Sequence, residues 1–272
     1  MKRYISFILS SKFGFFRKPD FSSKDSPSCS YNWIPPTTLY GLLGACIGLN
    51  GYNICYENFG GKRNKLEYMS LRNLLKIAII PLADNNDLKL DSFDKEIVVY
   101  NTNLHTVQKT GFAQCKEQIL VNPKFEIILE IDEDKIKSKI VELDLNEKFL
   151  NLLSIERFLK GPLFTTYLGK NEFLALITDI KEEATEEIAE DEKFTFKSIF
   201  LKEQHVITRQ WDESVIRDPY TISEFLPYNY DNNIKFEYKE FFLSNNFIET
   251  STNRNHIVKI KKPNKPSYVC MV

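Results

Sequence analysis

The pattern of apolar and polar residues predicts a helix over residues 37–49. Pro35 and Pro36 close an extended loop before it, and Thr37 or Thr38 is expected to cap its first N–H groups. Apolar residues recur at helical spacing on one face, namely Leu39, Leu42, Leu43, Cys46 and Ile47. The other face consists of small residues, namely Gly41, Gly44, Ala45 and Gly48. Glycine inside a helix costs about 1 kcal/mol relative to alanine, so we expect this face to lie close to another backbone, either a neighbouring strand or a bound polymer.

Other parts of the pattern predict a sheet. Strands are expected over residues 3–13, 75–82, 96–100 and 125–131. A second amphipathic helix is expected over 145–159, and the chain then turns at Gly169 into another buried strand. Residues 101–116 are polar and predict an excursion from the sheet, such as a long hairpin. This order matches a ferredoxin-like split βαβ sheet with an insertion, so the predicted fold class is α+β.

The C-terminal third has a different composition. Residues 181–193 hold seven acidic residues and two lysines, for which a solvated helix or a mobile linker is expected. Strand-like runs follow at 194–201, 234–243 and 256–261. We therefore predict a first domain over residues 1–180 and a small β-rich region over 194–272.

Composition narrows the class of protein. The 272 residues are 43% hydrophobic and 27% charged, as in ordinary soluble globular proteins. No apolar run approaches the roughly 20 residues that span a bilayer, and residues 1–16 are too polar for a signal peptide. The five cysteines form no CxxC pair and the three histidines are far apart, so we expect a reduced cytoplasmic protein with no metal or cofactor.

Charge is concentrated near the N-terminus. Residues 1–76 hold eleven Lys or Arg and four acidic residues, although the formal net charge of the whole chain is −1. Aromatic and cationic residues interleave in residues 13–19, a combination that suits single-stranded nucleic acid. A strand end with core aromatics and solvated cations explains this segment equally well. Residues 60–65 form a basic, glycine-containing loop that lacks the spacing of a P-loop.

Four motifs, taken in order, resemble one protein family. They lie at residues 15–19 (FFRKP), 34–44 (IPPTTLYGLLG), 121–125 (VNPKF) and 167–173 (YLGKNEF). Over about residues 1–180 the sequence resembles the CRISPR-associated RAMP protein of Cas family five, with type I-B members closest in overall appearance. In type I Cascade complexes this subunit caps the 5′ handle of the guide RNA (crRNA).

The resemblance implies a ferredoxin-like (RRM-like) RAMP domain with a β-hairpin thumb, which residues 101–116 would supply. It also implies partners: the crRNA 5′ handle, the first backbone RAMP subunit, the large subunit and, through the assembled complex, target DNA. The predicted function is therefore a non-catalytic RNA-binding subunit in antiviral defence.

The predicted site residues fall into groups. Phosphate contacts are expected from Lys12, Arg17, Lys18, Lys62, Arg63 and Lys65, and from backbone N–H groups at Gly60, Gly61 and Gly169. Phe15 and Phe16 are candidates for base stacking, with core packing as the open alternative. The remaining predicted RNA contacts are Tyr40, His105, Lys109 and Lys170.

The alternative function is a metal-independent endoribonuclease that processes precursor crRNA. Some type I-C relatives cleave RNA with a tyrosine, a lysine and a histidine directly after that lysine. This sequence contains no Lys-His dipeptide, which argues against cleavage, and Tyr40, Lys109 and His105 are the only plausible set. A structural protein without RNA contact is the third possibility.

Overall fold

A computed structural model describes most of the chain. The described residues are 2–19, 26–51, 54, 66–82, 93–106, 109–189, 192, 194–208, 220–230, 235–249, 254–263 and 265–272. For residues 101–106, 109–114, 208 and 249 only the backbone is described. The helices are α1 (Pro36–Ile47), α2 (Leu71–Leu74), α3 (Glu133–Glu142) and α4 (Ile155–Lys160). The strands are β1 (Lys2–Ser10), β2 (Phe13–Gly14), β3 (Ser28–Cys29), β4 (Leu75–Pro81), β5 (Lys95–Thr106), β6 (Lys109–Val121), β7 (Lys124–Asp132), β8 (Leu176–Glu183), β9 (Thr185–Glu186), β10 (Phe200–Leu201), β11 (Val206–Thr208), β12 (Thr221–Tyr230), β13 (Phe236–Ser244), β14 (Phe247–Glu249), β15 (Ile257–Ile260) and β16 (Ser267–Cys270).

The central sheet has four strands in the order β4-β7-β1-β8, and each adjacent pair is antiparallel. Strand β1 pairs with β7 along its whole length, from Lys2 opposite Asp132 to Ser10 opposite Lys124. Helix α1 lies between β1 and β4 in sequence, and α3 and α4 lie between β7 and β8. The predicted order of strands and helices in this part of the chain is therefore present.

Both faces of the central sheet are buried. One face, which includes Ile5, Phe7 and Leu9, packs in the main core with α1 and the segments around α3 and α4. The opposite face carries Ala78, Ile80 and Ile128, which pack against side chains of β15, β16 and the residue after them, namely Val258, Ile260, Val269 and Met271. The C-terminal hairpin therefore covers the second face of the sheet.

Helix α1 begins one residue earlier than predicted. Pro36 is its first residue and Pro35 is its N-cap, which makes no side-chain capping bond. The predicted threonine cap is wrong because proline already fixes the first helical φ, and the Thr37 hydroxyl instead donates to the carbonyl of Pro227 at 3.3 Å. The helix ends at Gly48, whose φ of +84° is the left-handed conformation that favours glycine at this position.

The polar excursion is a long antiparallel hairpin of β5 and β6, paired from Lys95 opposite Leu120 to Thr106 opposite Lys109. The predicted strand over 96–100 is the base of this hairpin. Strand β6 also pairs with the short strands β2 and β3, which attaches the hairpin base to the segments on either side of residue 17.

Several predicted elements differ in the structure. The helix expected over 145–159 is a 3-10 helix over Glu147–Ser154 followed by α4, and α3 was not predicted. The buried strand expected after the turn at Gly169 begins at Leu176 and is largely exposed. The acidic run expected to be a solvated helix or linker contains the end of β8 and the short strand β9.

The C-terminal strands share the main core with the N-terminal half. Ile199, Leu226 and Phe241 are fully buried in the same cluster as Phe7 and Leu43. In the part of the chain that the structure describes, no helix is both long and apolar enough to cross a membrane.

Candidate functional site

A cleft of about 800 Å³ lies between the small face of α1, the segment after β2 and the loop that follows α4. The residues that line it are Phe15, Phe16, Arg17, Thr37, Thr38, Gly41, Leu42, Gly44, Ala45, Leu49, Asn50, Gly51, Ile54, Tyr68, Glu117, Phe164, Thr165, Thr166, Tyr167, Gly169 and Lys170. The first, second and fourth sequence motifs therefore meet in one place.

The small face of α1 lies against the 3-10 helix Glu67–Ser70. A Cβ atom on Gly44 would come within 2.8 Å of the Tyr68 Cβ, and one on Gly41 within 3.7 Å of the Tyr68 ring. The predicted close approach therefore exists and is made to this 3-10 helix rather than to a strand. Because Gly41 and Gly44 also line the cleft, the same face remains available to a ligand.

Gly169 has a structural reason to be glycine. Its φ is +88°, and a Cβ atom there would overlap the carbonyl oxygen of Phe15. The N–H of Phe15 donates to the carbonyl of Leu168 at 3.0 Å, which holds the two segments together. The close approach at Gly169 is thus made to the protein's own backbone, on the wall of the cleft.

The predicted stacking residues are buried. Phe15 packs with Ile119 and Phe173, and Phe16 packs in the main core, where its ring centroid is 6.4 Å from that of Phe125. Tyr40 is 1% exposed, and burial raises the pKa of its phenol well above the ordinary value. Core packing, the open alternative, therefore holds for Phe15 and Phe16. The predicted RNA contact from Tyr40 is wrong for the ring, because the ring does not reach the surface.

Arg17 lines the cleft and is exposed. Its backbone forms a bridge with Ser30, and the flanking bonds run from Lys18 N–H to the Cys29 carbonyl and from Tyr31 N–H to the Phe16 carbonyl, both 2.8 Å. The guanidinium is thus carried by a fixed segment at the cleft wall. Lys12 is exposed but lies outside the cleft lining.

Lys18 forms an ion pair with a buried carboxylate of the C-terminal half. Its Nζ lies 2.7 Å from the Glu224 carboxylate, which is buried on β12, and 5.4 Å from the centroid of the Tyr31 ring. Glu224 also accepts a hydrogen bond from the N–H of Asn32 at 2.8 Å. This ammonium therefore compensates a buried carboxylate, while its side chain stays 37% exposed, and a phosphate contact at Lys18 stays a prediction.

Lys170 joins the cleft to the hairpin. It forms an ion pair with Glu117 on β6, and its Nζ lies 4.7 Å from the ring centroid of Tyr100 on β5. The same Nζ lies 5.2 Å from the ring centroid of Phe15. Lys170 therefore connects three segments, and as a cleft-lining cation it also stays a predicted RNA contact.

Some predicted residues cannot be placed. Gly60, Gly61, Lys62, Arg63 and Lys65 lie outside the described residues. His105 and Lys109 lie on β5 and β6 near the end of the hairpin, where only the backbone is described. Of the three residues in the alternative nuclease set, His105 and Lys109 lie on the hairpin and Tyr40 is buried in the core.

Sequence reasoning did not predict the two exposed aromatic residues among the described residues of the cleft lining. Phe164 and Tyr167 line the cleft, and their exposed fractions are 47% and 42%. The sequence feature that could have identified them is an aromatic residue on each side of Thr165-Thr166, shortly after Pro162, where the predicted helix ends. In the residues that are described, no cluster of His, Cys, Asp or Glu could hold a metal ion.

Several solved structures are similar to this chain at low identity. A crystal structure of a CRISPR protein from Archaeoglobus fulgidus is 15% identical, covers 99% of both chains and has a TM-score of 0.44. A chain of a CRISPR RNA-guided surveillance complex is 10% identical over 91% of this chain and 92% of that chain, also with a TM-score of 0.44. A chain of the Type III-B Cmr-beta complex bound to cognate target RNA and AMPPnP is 13% identical over 90% and 85%, with a TM-score of 0.45.

Among curated proteins, no sequence matches this chain. The sequence profile of the family described as CRISPR-associated protein (Cas_Cas5) matches residues 9–237, which include the cleft and the hairpin and end at the start of β13. The chain therefore belongs to the CRISPR-associated Cas5 protein family.

Proposed function

We propose that this chain is the RNA-binding subunit of a type I CRISPR Cascade complex and that it caps the 5′ handle of the crRNA. The observation that carries the proposal is the cleft, because Arg17, Lys170 and the first turn of α1 line the same space. The assignment to type I-B stays a prediction from the sequence resemblance.

The first turn of α1 suits a phosphate group. The backbone of Thr37 and Thr38 follows the N-cap, where helix N–H groups lack partners within the helix. This turn holds no acidic residue, and its N-cap makes no side-chain bond. The N-terminal end of a helix carries a partial positive charge, so a phosphate there and on Arg17 would be stabilised by both.

The covered sheet favours the cleft over the sheet surface as the RNA site. RRM-type domains stack bases on the open face of a four-stranded sheet. Here that type of surface is closed, because β15 and β16 pack over Ala78, Ile80 and Ile128. We propose that the central sheet is nevertheless ferredoxin-like, on the basis of its β4-β7-β1-β8 order.

The hairpin of β5 and β6 is proposed as the thumb. Its paired backbone continues beyond the base, where β6 pairs with β2 and β3, up to Thr106 opposite Lys109. A long paired projection can reach a neighbouring subunit. We propose that it contacts the first backbone RAMP subunit, and that the large subunit contacts another surface of the chain, in the cytoplasm where guide RNA is assembled.

We propose that the chain is not a nuclease. The burial of Tyr40 supports this, because a phenol in the core cannot deprotonate a 2′-hydroxyl of bound RNA. Incubation of the purified protein with its own repeat RNA in EDTA tests the proposal. Intact RNA is expected, and specific cleavage within the repeat would establish the endoribonuclease instead.

The binding role is tested by the salt dependence of affinity for a labelled single-stranded RNA that carries the repeat-derived 5′ handle. Each phosphate contact on a single strand contributes about 0.7 to the slope of log affinity against log salt. Arg17→Ala should therefore weaken binding and reduce the slope by about 0.7.

The matched control is Lys137→Ala, which removes an exposed cation on α3, outside the cleft. It should leave the slope unchanged. Equal slopes for wild type and Arg17→Ala would contradict the placement of a phosphate at Arg17.

A further inference from the structure

Two exposed aromatic rings, Phe164 and Tyr167, stand on the wall of the cleft and are here called the aromatic rim. Their exposed fractions of 47% and 42% contrast with 5% for Phe15 and 3% for Phe16, which line the same cleft. Among the described aromatic residues of the cleft, the rim therefore presents the most accessible rings. Neither rim residue lies in the segment at 15–19, for which base stacking was predicted.

The backbone that carries the rim is held at both ends. The N–H groups of Leu163 and Phe164 donate to the carbonyls of Cys46 and Ala45, both at 3.1 Å, so this loop satisfies the C-terminal turn of α1. At the other end, Tyr167 forms a backbone bridge with Leu174. Rings on a fixed backbone lose little conformational freedom on binding, which favours a binding role.

The charges beside the rim fit a nucleic-acid strand. Among the described residues of the cleft lining, Arg17, Lys170 and Glu117 are charged, and because Lys170 is paired with Glu117, Arg17 gives this lining its net positive charge. Proteins that bind single strands combine a cationic groove with aromatic rings on which the bases stack. The volume of about 800 Å³ falls within the roughly 300–1,000 Å³ of sites that enclose small organic groups, so the cleft can take bases as well as phosphate.

We propose that Phe164 and Tyr167 stack with unpaired bases of the bound RNA, while its phosphates lie at Arg17 and the first turn of α1. This inference rests on the proposed RNA-binding function and deepens it. The rim supplies affinity that depends on the presence of bases, and Arg17 supplies affinity that depends on salt. The two contributions are separable, because an abasic strand keeps every phosphate and lacks the rings that stack.

The test compares the full chain with its double variant Phe164→Leu/Tyr167→Leu, which keeps apolar side chains and removes both rings. The probes are the labelled single-stranded handle RNA and an abasic strand of the same length. Wild type should bind the RNA more tightly than the abasic strand, by about 5- to 150-fold for each stacked base. The double variant should bind both strands with similar affinity and with the wild-type salt slope.

Phe225→Leu is the matched control. Phe225 is 60% exposed on β12 and lies outside the cleft lining, so its loss should leave the discrimination unchanged. Thermal unfolding of every variant confirms that binding is compared between folded proteins. Tyr167→Phe, which keeps a ring, should retain the discrimination and thereby show that stacking rather than the hydroxyl is used.

Wild-type discrimination in the double variant would overturn the inference, as would equal affinity of wild type for the two strands. The first result would leave the rim as a surface for a protein partner. Failure of the proposed function gives a different result, namely that wild type binds neither the handle RNA nor the abasic strand.

Discussion

Gly41 and Gly44 lie one turn apart on the same face of α1, but their surroundings differ. A Cβ atom on Gly44 would be 2.8 Å from the Tyr68 Cβ, whereas one on Gly41 would meet the Tyr68 ring at an ordinary 3.7 Å. Gly44→Ala should lower the free energy of unfolding by about 1–3 kcal/mol, because Tyr68 would have to move. Gly41→Ala should raise it by about 0.5–1 kcal/mol through helix propensity. Chemical denaturation measures both, and similar effects from the two variants would contradict this packing.

Arg17 and Lys18 are neighbours with different predicted roles. Lys18→Ala removes the ammonium that lies 2.7 Å from the buried Glu224 carboxylate, so it should lower the unfolding temperature and leave the salt slope of RNA binding unchanged. Combining it with Glu224→Gln should recover part of the loss, since the uncompensated charge is removed. If Lys18→Ala instead reduces the salt slope and keeps the wild-type unfolding temperature, Lys18 contacts the RNA.

His205 is buried between the rings of Phe196 and Phe200, at centroid distances of 4.9 and 5.7 Å, and its Nε2 lies 3.2 Å from the Cys270 Sγ. Burial, followed by the charge of His256, lowers its pKa from 6.5 to about 4. Because the unfolded chain takes up this proton at higher pH, His205 contributes full stability above about pH 6.5 and loses it as the pH falls towards 4. His205→Leu should unfold with a flatter pH dependence across that range, and parallel curves for variant and wild type would contradict this origin.

At the scale of elements, helix α1 shows what a local pattern can and cannot predict. Its apolar face and its small face were both evident, because helical spacing alone places those residues. Its start was misplaced because the Thr37 hydroxyl bonds to Pro227, a residue 190 positions away. Similarly, the aromatic residues at 15 and 16 could be read as core or as surface, and only the packing on Ile119 and Phe125 decides this.

The domain is expected to fold without the outer half of the β5–β6 hairpin. Its base contributes Val98 and Ile119 to a small hydrophobic cluster. Excision of residues 103–113, with a short turn that joins the shortened strands, should therefore leave the domain folded. RNA binding should fall only in part, while assembly with the backbone subunit and interference against target DNA should fail. A shortened protein that does not fold would mean that the outer half is core, and one that assembles and interferes normally would mean that it is dispensable.

At the scale of the whole molecule, the C-terminus completes the central sheet. Val272 exchanges two backbone hydrogen bonds with Ile77, at 2.8 and 3.0 Å, and Met271 is fully buried. Deletion of Met271 and Val272 should lower the unfolding temperature strongly, because it exposes both β4 and the covered face of the sheet. Val272→Ala keeps the backbone bonds and should have a much smaller effect. Equal melting of the truncated and complete chains would contradict this role.

The order of strands in the first two thirds of the chain could be predicted, since it follows from the sequence of periodic segments. The packing of the C-terminal strands against the main core could not be predicted. It depends on contacts between residues that are distant in sequence, such as Lys18 with Glu224 and Ile77 with Val272. Among the described residues, five predicted RNA contacts line the cleft, namely Phe15, Phe16, Arg17, Gly169 and Lys170. Phe164 and Tyr167 were not predicted, because an exposed aromatic residue in a loop has no periodic signal.

The central claim is that the crRNA 5′ handle lies in the cleft between α1 and residues 164–170. The most direct measurement is ultraviolet crosslinking of a complex assembled on crRNA whose handle carries 4-thiouridine, followed by mass spectrometry of the crosslinked peptides. We expect crosslinks to the peptide that contains Phe164 and Tyr167, and their loss in the Phe164→Leu/Tyr167→Leu variant. Handle crosslinks confined to β12 and β13, with none to the peptide that contains the aromatic rim, would contradict it.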